Sequence, residues 1–144
     1  MLTFENALSF KDGEEPPVAL RNFWAPEESW IWSTGRWCEI TFAFEAGAAP
    51  PRFAELVIDL DVYKYKDRHP GQNVLVYLNG LRIGSLYCTR RMTVAFAVDP
   101  RTLASADNIL TLDTPDSARP SQFGGADGRQ LGVQLFNLQL RGAV

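Results

Sequence analysis

The strongest constraint on this chain is a two-residue alternation of apolar and polar side chains, repeated in segment after segment and broken by turn residues. In Glu39–Glu45, Ile40, Phe42 and Phe44 alternate with Glu39, Thr41, Ala43 and Glu45. Leu56, Ile58, Leu60 and Val62 alternate with Val57, Asp59 and Asp61, and Met92, Val94, Phe96 and Val98 form another such set. Successive side chains of a strand point to opposite faces, so each segment reads as a strand with one buried face. Val74-Leu75-Val76-Tyr77-Leu78 is apolar in both phases and predicts a central strand covered on both faces. It runs into Asn79-Gly80, which suits the positive φ angles of a type I′ turn, so Leu81–Tyr87 is its returning partner. Asp99 is placed to cap a short helical turn over Arg101–Ala104 with Pro100 at its first position, and Ile109–Leu112 is a further strand. At the end of the chain Leu131, Val133 and Leu135 hold one phase, then Phe136, Leu138 and Leu140 hold the other. That one-residue slip predicts a bulge, or a strand passing from one sheet to its partner.

Seven to nine short strands without a 3.6-residue period predict an all-β fold, a two-sheet antiparallel β-sandwich of the jelly-roll kind. The 144 residues suit one domain spanning 1–144, and 46% apolar residues form a core that needs no metal or disulfide. The main loops fall at Pro50-Pro51, His69-Pro70-Gly71 and Arg119–Gly128. A net charge of −3 with scattered basic residues argues against nucleic acid, which is normally met by a basic stripe. Even the densest basic group, Lys64, Lys66 and Arg68, is interrupted by Tyr65 and Asp67. No run approaches the ~20 apolar residues that span a bilayer, so no membrane insertion is expected. The first ten residues have neither a basic start nor a sustained apolar block, so no signal peptide is expected and a cytoplasmic location is the default, unless the chain belongs to a longer protein. Cys38 and Cys88 lack zinc spacing and stand beside strand-like apolar residues, which leaves a disulfide between them open.

All four tryptophans, Trp24, Trp30, Trp32 and Trp37, lie within fourteen positions, together with Phe23, Glu27 and Glu28. Indole faces dock against the C–H faces of sugar rings while carboxylates accept their hydroxyl protons. The same residues also suit a plug that closes the sandwich over its core. Asp127 and Arg129 open the last strand and suit a charge-assisted network that pins a loop, or a polar pair offered to a ligand. His69, the single histidine, reads as a solvated loop residue, and with no G-x-S-x-G a serine triad has no support. Glu27, Glu28, Asp59, Asp61 and Asp127 contain enough carboxylates for a glycosidase pair, but sequence spacing does not bring any two together. No cofactor is expected; oxygen ligands for a structural calcium are plentiful, yet the D-x-[DN]-x-[DN]-G loop is missing.

Three stretches together carry a resemblance: Trp24-x-x-x-Glu28-x-Trp30-x-Trp32-Ser33-x-Gly35, Val76-Tyr77-Leu78-Asn79-Gly80, and Gly124-Gly125-Ala126-Asp127-x-Arg129-x-Leu131-Gly132-Val133. From about Phe23 to Leu140 the chain resembles a bacterial accessory domain similar to galactose-binding-like jelly rolls, found beside glycosyltransferases and other enzymes of cell-surface polysaccharide assembly. The resemblance implies a β-sandwich in a glycan context, with Glu28 and Arg129 as the matching polar positions, facing a ligand or each other. Met1–Leu20 has no counterpart in it and is an extra strand or a segment of this protein's own. The leading expectation is a non-catalytic carbohydrate-binding or glycan-associated module, with Trp24, Glu28, Trp30, Trp32, Trp37 and Arg129 as candidate ligand residues. Its partners would be carbohydrate or a larger glycan-processing enzyme. The alternative is a structural or protein-interaction sandwich that docks on a larger enzyme or on itself, with Tyr63, Tyr65 and Tyr77 at the contact. A carboxylate-based glycosidase or lyase is the remaining reading.

Overall fold

Alternating sequences form strands, and the strands pair wherever their apolar faces can meet. The computed structural model describes residues 7–43, 52–104 and 107–143. Among them ten strands form: β1 (Leu8–Ser9), β2 (Ala19–Arg21), β3 (Ile31–Trp32), β4 (Trp37–Phe42), β5 (Phe53–Val62), β6 (Gln72–Leu78), β7 (Leu81–Cys88), β8 (Met92–Val98), β9 (Asn108–Asp113) and β10 (Val133–Ala143). They make two five-stranded antiparallel sheets, the all-β sandwich that the alternation predicts. One runs β1-β10-β5-β8 with β3 also paired to β10, and the other runs β2-β4-β9-β6-β7. Phe44, Glu45 and Pro50-Pro51 lie outside the described residues.

The core lies between the sheets and follows the predicted phases. Leu56, Ile58, Leu60, Leu135, Leu138 and Leu140 from the first sheet meet Ile40, Val74, Val76, Leu78, Leu110 and Leu112 from the second, all essentially inaccessible. Each such side chain contributes about 1.5–3 kcal/mol by leaving water. Met92, Val94 and Phe96 point inward as predicted but are only partly buried, because β8 is an edge strand. The slip in the last strand is a bulge: the β10–β5 register shifts between Leu135 and Asn137. Leu135 and Leu138 both stay inward, and Phe136 turns out of the core against Trp30, ring centroids 6.1 Å apart, and beneath the Arg91 guanidinium at 3.7 Å.

Asn79 and Gly80 take φ of 50° and 81°, as a type I′ turn requires, and Asp99 caps the turn at Pro100–Thr102 by accepting from the Arg101 amide at 3.0 Å. One expectation needs correction. β6 is central, between β9 and β7, but it is not covered on both faces: Leu75 and Tyr77 are half-buried, because in a two-layer sandwich the outer face of each sheet has no further layer over it. Cys38 and Cys88 are buried free thiols. β9 and β6 separate their strands, about 14 Å at the usual strand spacing, which is beyond disulfide reach.

The N-terminal segment supplies one strand to each sheet: Leu8 pairs with Leu138 on β10, and Leu20 with Ile40 on β4. Between them Phe10, 1% exposed, fills the core. Phe10→Ala is therefore expected to cost about 3–5 kcal/mol in urea unfolding, the range for an aromatic truncated in a packed interior. A loss below about 1 kcal/mol would mean that this segment only rests on the sandwich.

Candidate functional site

The sequence places four tryptophans together, and the structure distributes them over two regions. Residues 23–33 form a hairpin along the edge of β10: Phe23 bridges Ser33, the Trp24 amide donates to the Trp32 carbonyl at 2.9 Å, and Glu27 bridges Trp30. Ile31 and Ser33 of this hairpin are buried, so Trp30 and Trp32, in the opposite phase, face away from the core and are only half-buried. Trp24 and Trp37 are exposed, at 37% and 38%. No tryptophan belongs to the core cluster of described residues, so these rings do not plug the sandwich.

At the hairpin, Arg129 holds Asp127 with two of its nitrogens, at 3.1 Å through Nε and 2.9 Å through Nη2, and Glu27 with the third at 3.0 Å. The other oxygen of Glu27 accepts the Trp30 indole N–H at 2.6 Å. The Trp24 indole N–H donates to the Gln130 carbonyl at 3.0 Å, with the Arg129 guanidinium 6.0 Å from its ring centroid. These bonds fasten the hairpin to the segment that opens β10. They also spend both indole donors and much of the guanidinium on protein. Glu28, the carboxylate that the resemblance matched to Arg129, is not its partner. Glu27 lies opposite Trp30 and can reach back to Arg129, whereas Glu28 sits in the tight turn between them and is exposed.

His69 is not the solvated residue expected. Its backbone exchanges hydrogen bonds with Tyr65 at 2.7 and 2.9 Å, and its half-buried ring packs 6.0 Å from Tyr63 and 5.8 Å from Phe123. Tyr65 in turn stacks on Phe123 at 4.9 Å. Two of the tyrosines considered for an interface thus serve to hold this loop.

Trp37 stands in the other region, on the outer face of the second sheet. Register sets it beside Asp113 on β9, and Tyr77 on β6 beside Thr111. These side chains, with Arg36 and Gly80, line a shallow depression of about 340 Å³. Arg36 makes a bidentate pair with Asp113, Nε to Oδ1 at 3.1 Å and Nη2 to Oδ2 at 3.4 Å, and this pairing, with a smaller contribution from Tyr77, raises the guanidinium pKa. On the other side of Trp37, Arg21 lies 5.1 Å from the ring centroid and pairs loosely with Glu39 at 3.9 Å. The rim is rigid: Asn79 donates to the Thr102 carbonyl and to Asn108, and accepts from the Ile109 amide, each within 3.0 Å. Arg36, Thr111 and Asp113 escaped the sequence reading. Their only signal is phase, since Thr111 and Asp113 alternate with buried Leu110 and Leu112.

Among the described residues no three histidine, cysteine or acidic side chains gather as metal ligands. Asp59 and Asp127 are held below the usual carboxylate range, by Arg91 and Arg129 respectively, and so favour the ionised form over the protonated form that a general acid needs.

No protein-family model matches the sequence, and no curated protein matches it by sequence. Among solved structures, the CBM36-1 domain of a multidomain xylanase from the hindgut metagenome of Trinervitermes trinervoides aligns over 96% of this chain and 98% of its own, with 11% identity and a TM-score of 0.49. A carbohydrate-binding module CBM36 in complex with calcium and xylotriose aligns over 94% and 98%, with 12% identity and a TM-score of 0.46. Identity at this level gives no residue-by-residue correspondence, so the case for the site rests on its own side chains.

Asp59 also provides a test of the electrostatics. Its lowered folded pKa stabilises the protein above the unfolded value of about 3.9, and that contribution disappears as pH falls through the folded pKa. Asp59→Asn should therefore lower the urea midpoint clearly at pH 7, and the gap should shrink steadily as pH falls below the unfolded value of about 3.9. A gap that stays constant as pH falls would show that the pair with Arg91 carries no such linkage.

Proposed function

We propose that this chain is a single non-catalytic carbohydrate-binding module whose ligand lies on the Trp37 face. The observation that carries the reading is the exposed Trp37 indole beside the Arg36–Asp113 pair and Tyr77 in one open depression. The indole offers an apolar face to the C–H side of a pyranose. Arg36 retains N–H donors beyond its bond to Asp113, and Asp113 retains acceptor lone pairs. A donor and an acceptor held side by side match the two hydroxyls of a vicinal diol. The Trp24 and Arg129 region serves in this reading as the clamp that holds the hairpin, because its polar groups already satisfy one another. A larger glycan-processing enzyme as partner, and the setting beside glycosyltransferases that the sequence resemblance implies, are parts of the same proposal.

Calorimetric titration with a panel of oligosaccharides tests it. Trp37→Ala should weaken binding about tenfold or more, equivalent to about 1.4 kcal/mol, while Trp24→Phe leaves affinity unchanged. Binding that survives Trp37→Ala would move the site elsewhere. If no glycan binds, the protein-interaction reading takes its place.

A further inference from the structure

We propose that the ligand is an acidic glycan chain, lying across the strands from Trp37 to Arg82, with a uronate carboxylate held by the Arg82 guanidinium. The inference rests on the carbohydrate-binding reading of this face. The strand order β4-β9-β6-β7 brings Trp37, then Asp113 and Thr111, then Tyr77, then Arg82 onto one surface. Tyr77 is in register with Thr111 on one side and with Arg82 on the other. Tyr77 and Thr111 share the outer face, because Val76, Leu78 and Leu110 in the opposite phase are buried, and Arg82 is set beside them by its pairing with Tyr77, past a register shift after Val76. The two-residue turn dictates the last pairing: with only Asn79 and Gly80 between the strands, Leu81 meets Leu78 and Arg82 meets Tyr77. Three strand steps and two residues along the strands separate Trp37 from Arg82, about 16 Å on the diagonal at the usual spacing. A pyranose advances its chain by a distance close to one strand step, so the track accommodates a short run of sugar residues rather than one.

The charges on this surface are unequal. Arg36 is matched by Asp113 and Arg21 by Glu39, whereas exposed Arg82 has no ion-pair partner among the described residues. It leaves an uncompensated positive charge at the end of the track, in a chain whose net charge is −3. A guanidinium grips a carboxylate through two parallel N–H bonds, and a neutral sugar offers it nothing equivalent.

The test is calorimetric titration of the full chain with a uronic acid trisaccharide, its carboxyl-reduced counterpart and the single uronic acid residue. The acidic trisaccharide should bind about fivefold more tightly than the reduced one, the gain expected of one exposed ion pair. Raising salt from about 0.05 to about 0.5 M should erase most of that preference. Arg82→Gln, on an exposed edge strand, should bring the acidic ligand to the affinity of the reduced one and leave the latter unchanged. The single residue should bind more weakly than the trisaccharide because it cannot span the track. A preference that survives Arg82→Gln, or a trisaccharide no better than the single residue, would overturn the proposal. Equal binding of acidic and reduced trisaccharides, both abolished by Trp37→Ala, would overturn it while leaving the carbohydrate reading intact. If none of the three binds and neutral oligosaccharides fail as well, both readings fall.

Discussion

Hydrogen bonding between β4, β9 and β6 sets in one register both what this protein buries and what it displays. Ile40 lies opposite Leu110, and Leu110 opposite Leu78, with all three sealed in the core. Because side chains alternate with a period of two, that arrangement obliges Trp37 and Asp113, and Thr111 and Tyr77, to emerge side by side on the other face. A slip of one residue would invert both sets at once, exchanging the core for the site. The free energy that holds the register therefore comes from burial on the inside, and the geometry outside follows without contacts of its own.

Much of the fold was legible because it depends on local rules. Alternation located most of the longer strands, Asn79-Gly80 located the hairpin, and the phase slip at Leu135-Phe136 located the bulge. The three two- or three-residue strands β1, β2 and β3 left no such trace, since a segment that short shows no period and forms only when a longer strand offers an edge. The site was less legible for a related reason. Phase alone shows that Trp37, Thr111, Asp113 and Tyr77 oppose buried neighbours, but their proximity depends on which strands pair. The pairing of β4 with β9, and of β9 with β6, joins segments roughly thirty to seventy residues apart. Nearness in sequence was misleading in the opposite sense: Trp32 and Trp37 are five positions apart and belong to different sheets.

The two tryptophan regions differ most in how their polar atoms are satisfied. At the hairpin, Trp30 donates to Glu27, Trp24 to Gln130, and Arg129 binds two carboxylates. A ligand there would have to displace charge-assisted bonds that already exist, exchanging one set for another with little net gain. On the sheet face the Trp37 indole N–H donates to nothing among the described residues, and the Arg36–Asp113 pair is open on its solvent side. Satisfied polar groups suit a clamp, and partly satisfied ones suit the binding face proposed above.

Rigidity completes the distinction between binding and catalysis. The depression is floored by three paired strands and rimmed by a turn that Asn79 ties to β9 and to the 100–104 segment. In the proposed binding role, a ligand there would cost little ordering of the protein. Chemistry on a sugar makes the opposite demand, for a carboxyl held protonated near neutral pH beside a second that stays ionised. Asp113 is paired with Arg36, as Asp59 is with Arg91 and Asp127 with Arg129. Among the described residues the depression is lined by a single carboxylate, Asp113, where that chemistry asks for two.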